Sequence, residues 1–238
     1  MNHERNMYKS TQKGFTLVEL MLAMAGVAFL LLAIAMTTIQ ISNIYSKGMT
    51  LKSVNQAGRD LSDVLQRDIK SSTPFDLASP SKYLYTPHGG RLCMGQYSYV
   101  WNYGATITSS SSANKIVYDD TNSTPVRLAR VLDAGGQLCI NADADQPIAR
   151  DDATELLNSA SNSDGLDLAL HSFTVTSSAP DPATGQALYS VSFALGTNDE
   201  KTLDTGDASC RPPNEDESNW EFCAVNVFEF TTRAGNRT

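Results

Sequence analysis

From Leu20 to Ser46 the chain carries no charged residue. Coiled as an α-helix, those 27 residues reach roughly 40 Å, more than the ~30 Å hydrocarbon core of a bilayer. A run of that length constrains everything that follows, because a compact domain built from a 238-residue chain has little use for it except as a membrane anchor. The hydrophobic content of 41% is ordinary. Its distribution is not: the apolar residues crowd the N-terminal part, while the remainder is rich in Ser, Thr, Asp and Asn. An anchor carrying one soluble domain is the expected organisation.

The flanks of the run set its orientation. Arg5, Lys9 and Lys13 precede it, which keeps the short leader in the cytoplasm and sends the larger part of the chain outside; Lys47 is a weak opposing charge at the far boundary. An ordinary secretory signal is cut after its apolar region. Here the junction Lys13-Gly14-Phe15-Thr16-Leu17-Val18-Glu19 lies before it, so a cut there leaves the anchor on the mature protein. Loss of residues 1–14 would also move the formal charge from −8 to near −10. An acidic surface repels phosphate, so bulk electrostatics offers nothing toward nucleic-acid binding.

Glu19 is a carboxylate at the start of a membrane helix, a costly placement unless it finds a cation or reaches the headgroups. A new α-amino group on Phe15 would be such a cation. In a bundle of similar helices, the amine of one subunit can meet the glutamate of the next.

Gly14-Phe15-Thr16-Leu17-Val18-Glu19-Leu20 resembles the signal of type IV prepilins and of type II secretion pseudopilins. The resemblance covers residues 13–45 and implies a set of roles. A prepilin peptidase would cut between Gly14 and Phe15, Phe15 would be N-methylated, and Glu19 would act in docking during assembly. The partners implied are that peptidase, other pilin or pseudopilin subunits, an inner-membrane assembly platform, and membrane lipid before assembly; no cofactor is implied. The chain lacks the proline that many major pilins carry in this segment, leaving Gly26 as its one weak point. Leu61 to Ser72, with Gln66-Arg67-Asp68, is similar to the end of the long helix in PilW-like minor pilins.

Beyond the apolar run, Leu51, Val54, Leu61, Leu65 and Ile69 recur at helical spacing among charged residues, and Pro74 follows Ser71-Ser72-Thr73 as a stop signal. A helix is therefore expected over 15–70, with 15–46 in the membrane or filament core and 47–70 as an amphipathic half, and Gly48 and Gly58 as soft points. Residues 71–238 read as a β-rich domain. Strands are expected over Tyr97 to Tyr103, Lys115 to Tyr118, Val126 to Leu132 and Gln137 to Ile140, the last two joined in a hairpin by Asp133-Ala134-Gly135-Gly136. Leu166 to Leu170, Tyr189 to Leu195 and Cys223 to Thr232 complete an antiparallel sheet, and a short helix is expected near Asp152, with Glu155 closing a capping box. The fold class is α+β, a long N-terminal helix packed on an antiparallel sheet.

Cys93, Cys139, Cys210 and Cys223 form no CxxC pair and have no histidine at zinc-ligand spacing. An even number of cysteines in an exported domain favours disulfides; three pairings are open, and nearness along the chain favours Cys93 with Cys139 and Cys210 with Cys223. Asn141-Ala142-Asp143-Ala144-Asp145 has the alternating carboxylates of a calcium loop but neither its glycine nor its distal glutamate. His3, His88 and His171 are scattered, no serine sits in a nucleophile elbow, and there is no phosphate-binding loop. The expectation is a non-enzymatic minor pilus subunit, first held in the inner membrane and then built into an extracellular filament. The alternatives are a minor pseudopilin, and an adhesin or DNA-uptake module using Tyr97, Tyr99, Trp101 and Tyr103 as an aromatic platform; the same four, at alternate positions, equally suit the core of a sheet.

Overall fold

In a computed structural model, the described residues are 14–111, 113–140, 147–157, 166–199, 203–204, 209–213 and 219–235. Two units are present, residues 1–45 and 46–238. The described part of the first is helical, and residues 14–42 are all exposed. The helix α1, Leu17–Ser71, begins there and supplies the second unit with its amphipathic half.

In the second unit the apolar stripe of α1 is buried: Thr50, Val54, Gly58, Leu61, Leu65, Asp68 and Ile69 recur at intervals of three and four. Each large aliphatic in it is worth about 1.5–3 kcal/mol relative to exposure. Hydroxyls end the helix, Ser71 Oγ donating to Asp68 O at 2.9 Å and Ser72 Oγ to Ile69 O at 2.9 Å. Pro74 follows, and Phe75 stacks on Tyr189, whose hydroxyl accepts from Phe75 N and donates to Phe75 O.

After α1 come β1 (Tyr83–Thr86), β2 (Gly89–Cys93), β3 (Tyr97–Asn102), a short helix α2 (Gly104–Thr108), β4 (Leu128–Leu132), a single helical turn α3 (Gln137–Ile140) and β5 (Ala153–Glu155). Next are β6 (Leu168–Ser177), β7 (Ala187–Thr197), β8 (Leu203–Asp204), β9 (Ser209–Cys210), a 3-10 turn at Trp220–Phe222, and β10 (Val225–Ala234). Strands β1 to β5 form one antiparallel sheet in chain order; β10-β7-β6 form a second; β8 and β9 pair alone. The class is α+β.

The main core joins the helix stripe to one face of each large sheet, with Tyr99, Trp101, Phe173, Tyr189 and Phe193 fully buried. A smaller core on the opposite face of the first sheet holds Val100, Ile116, Tyr118, Val126, Ala129, Val131 and Ile148. Asn102 organises it: Nδ2 donates to Ile116 O and Val126 O, both at 2.7 Å, and Oδ1 accepts from Ile116 N at 3.0 Å.

Three local expectations are corrected. Asp133 to Gly136 makes no hairpin, and Gln137 to Ile140 is α3: Asp133 accepts from Gln137 N at 2.8 Å and Leu138 N at 3.1 Å, capping a turn whose Cys139 is bonded to Cys93 of β2. Gly135 and Gly136, at φ +105° and +71°, allow that reversal. No helix begins at Asp152. Glu155 instead lies on β5 and accepts from Arg127 N, Leu128 N and the Tyr118 hydroxyl, which fixes the start of β4. Lys115 to Tyr118 makes only isolated bridges, Val117 with Pro125 and Tyr118 with Ile148.

Candidate functional site

The residues that carry the prepilin resemblance stand at the head of α1. Among the described residues, nothing lies within 4 Å of where a side chain on Gly14 would start, and Phe15 is 84% exposed. The leader, residues 1–13, lies outside the described residues.

Glu19 has a local partner that the sequence reading did not weigh. Its Oε2 accepts from Thr16 N at 3.0 Å and from Thr16 Oγ1 at 2.9 Å, while Glu19 N donates to Thr16 Oγ1 at 3.3 Å. Thr16 is thus the N-cap and Glu19 the third residue of the helix, a capping box that satisfies two otherwise orphaned N–H groups. The Thr-x-x-Glu spacing before an apolar run was the available signal. Among the described residues Oε1 has no partner, so the box leaves one carboxylate oxygen for a second cation or donor.

From Leu17 onward the helix qualifies as a membrane span by length and composition, and none of its most apolar window is buried. Leu22, Val27, Phe29, Leu31, Ile34 and Ile41 are all more than half exposed.

A second assembly of polar groups lies where α1 enters the globular unit. Cys210 and Cys223 are bonded, and two carbonyls of the turn at Trp220–Phe222, with that of Cys223 after it, face the helix. Lys47 Nζ donates to Trp220 O at 3.2 Å and to Cys223 O, and Thr50 Oγ1 donates to Glu221 O at 3.2 Å. The ammonium also stands 5.9 Å from the centre of the Trp220 ring. Burial pushes the Lys47 pKa down, since carbonyl dipoles replace only part of the water it loses. The disulfide-bounded segment is therefore docked on α1 by its backbone; residues 214–218 within it lie outside the described residues.

The remaining candidates resolve as structure. Tyr99 and Trp101 are fully buried and Tyr103 nearly so, while Tyr97 is half-buried with the Arg130 guanidinium 3.3 Å above its ring. These aromatics belong to the core and its margin, so they form no open stacking platform. His171 is held by a bond from Nε2–H to Thr197 O at 3.1 Å, and burial lowers its pKa. Among the described residues no group of His, Cys, Asp and Glu could hold a metal ion; Asn141 to Asp145 lies outside them. Compared with known protein families, curated proteins and solved structures, the chain matches none.

Proposed function

We propose that this chain is a type IV pilin-like subunit, processed between Gly14 and Phe15 and assembled through its N-terminal helix, most similar to a minor pilin. One observation carries the reading: an exposed apolar helix whose first turn holds a single carboxylate, Glu19, directly behind the Gly14–Phe15 junction. In water such a surface is untenable; in a membrane, and then in a bundle of like helices, it is covered. After cleavage the Phe15 amine of one subunit would pair with Glu19 Oε1 of its neighbour, while Oε2 keeps the helix start closed. Two disulfides suit an exported head.

The burial of Tyr99, Trp101 and Tyr103 weighs against mounting a nucleic-acid platform on those residues. A minor pseudopilin would share every N-terminal feature. The test compares the chain's content in sheared filaments and in membranes for wild type, Glu19→Ala and Glu19→Asp. Glu19→Ala should remain in the membrane fraction and enter filaments poorly, because the substitution makes the segment more apolar while removing the carboxylate. Incorporation equal to wild type would count against the pairing. Co-purification with a secretion pseudopilus and not a pilus would select the pseudopilin reading.

A further inference from the structure

Strand β10 is an outer strand, with β7 on one side only. The phase of its hydrogen bonds is fixed at several points. Thr197 N donates to Ala224 O at 2.9 Å, so Ala224 faces β7, and alternation turns the backbone groups of even-numbered residues inward and those of odd-numbered residues outward. The register runs without a bulge from Val225 to Ala234. Two outward N–H groups with partners agree with that phase: Val227 N donates to Asn226 Oδ1 at 2.9 Å and Gly235 N to Ser72 O at 2.9 Å. Between them, the outward backbone groups of Glu229, Thr231 and Arg233 meet no partner among the described residues, and all three residues are exposed.

The opposite edge of the same sheet is covered. On β6, Phe173 O accepts from the Tyr103 hydroxyl at 3.4 Å, and Leu170 bridges to Tyr103. Natural sheets protect long edges with prolines, bulges or lysines. β10 has 10 residues and no proline, bulge or lysine; its exposed charges, Glu229 and Arg233, are of opposite sign.

We propose that the outer edge of β10 is a homotypic contact strand, pairing antiparallel with β10 of a second copy about Thr231, with Glu229 of each chain opposite Arg233 of the other. The two-fold register centred on Thr231 is the one that sets these opposite charges face to face; centring on Glu229 or on Arg233 opposes like charges. In it the three facing pairs are all of the type that exchanges two N–H···O bonds. On the other face of the strand, half-buried Phe230 would lie opposite Thr232 of the second copy and gain cover.

The geometry also says where such a pair can form. Within the globular unit β10 runs alongside α1 in the same direction, from Asn226 at Asn55, through Phe228 at Gly58, to Gly235 at Ser72. An antiparallel pair therefore puts the Ser46 ends of its two globular units, where the N-terminal segments attach, at opposite ends, and the pair is proposed between chains held on separate surfaces. The contact is short and weak singly, so many copies must act together. It rests on the β10 edge and is independent of filament membership.

The test uses the full-length chain in phosphatidylcholine vesicles with the globular domain outward, and measures clustering by light scattering. Wild-type vesicles should cluster. Glu229→Arg vesicles and Arg233→Glu vesicles should each stay dispersed, since each variant opposes like charges, and a mixture of the two should cluster as wild type does because the charges again complement. That recovery also shows both variants to be folded. Dispersed wild-type vesicles, single variants that cluster like wild type, or a mixture that stays dispersed would each overturn the proposal.

Discussion

Asp68 of α1 and Arg130 of β4 form a bidentate pair, with Arg130 Nε 2.6 Å from Asp68 Oδ2 and Nη2 3.1 Å from Oδ1. Asp68 is buried, and its Oδ2 also accepts from the Tyr99 hydroxyl at 2.6 Å. The pairing raises the Arg130 pKa, and burial beside the carboxylate raises that of Tyr99, so both donors keep their protons. This cluster ties the helix to the first sheet. Replacing Asp68 by Ala leaves a guanidinium and a phenol without their acceptor and should cost about 3–5 kcal/mol. Urea denaturation followed by Trp101 fluorescence checks this; Asp60→Ala, at an exposed position, should stay within about 0.5 kcal/mol of wild type.

Gly58 makes a second, steric prediction. Any side chain there would collide with the Phe228 ring, which itself stacks on Phe193. Gly58→Val should destabilise the domain by about 1–3 kcal/mol, and Phe228→Ala in the same chain should recover part of that loss, a coupling read from a double-mutant cycle. Gly48, with nothing within 4 Å, should behave oppositely: Gly48→Ala should gain up to about 1 kcal/mol of helix stability.

The contrast between these glycines shows how far the sequence reaches. Both read as soft points in one helical pattern, and only the fold reveals that Gly58 is a notch for a residue 170 positions away in the chain. Alternating aromatics located β3, although it is buried on both faces, and periodicity located α1, β6, β7 and β10, which bury one regular face over much of their length. It failed for β1 and β2, which are short and carry Gly89-Gly90, and where side chains overrode pattern, as Asp133 does in capping α3 and Glu155 in bonding the start of β4. At the N-terminus the helix and the placement of Gly14, Phe15 and Glu19 were legible. The Thr16–Glu19 box is written in the sequence as Thr-x-x-Glu before an apolar run.

The Cys210–Cys223 bridge closes a loop with a sequence separation of 13, worth about 3 kcal/mol by restriction of the unfolded chain. It also holds the Trp220, Glu221 and Cys223 carbonyls against Lys47 and Thr50. Cys210→Ser with Cys223→Ser should therefore destabilise the domain by about 2–4 kcal/mol. Lys47→Met in the bridged chain should cost less, about 1 kcal/mol. Denaturant midpoints of the two variants give the ordering, and an equal loss for both would contradict it.

His171 supplies the pH dependence. Its folded pKa lies below the ordinary 6.5 because burial disfavours the imidazolium, so the unfolded chain binds a proton that the folded chain rejects. Its contribution is fully present above about 6.5 and is lost as pH falls from there toward the folded value. Stability measured at a series of pH values from 7.5 to 5, on the order of the histidine titration range, should fall more steeply for wild type than for His171→Gln.

The Gly14–Phe15 junction decides whether the chain is a processed filament subunit. Replacing Gly14 by a bulky residue should leave the leader in place, since the peptidase must approach the backbone closely, whereas Thr16→Ala should leave cleavage intact and only loosen the helix start, by about 1 kcal/mol. The most direct measurement is mass spectrometry of the N-terminal peptide of the chain isolated from cells that carry a prepilin peptidase. A mature chain beginning at Phe15 with a methylated amine is expected. A chain that begins upstream of Phe15, or well inside the apolar run, would contradict it.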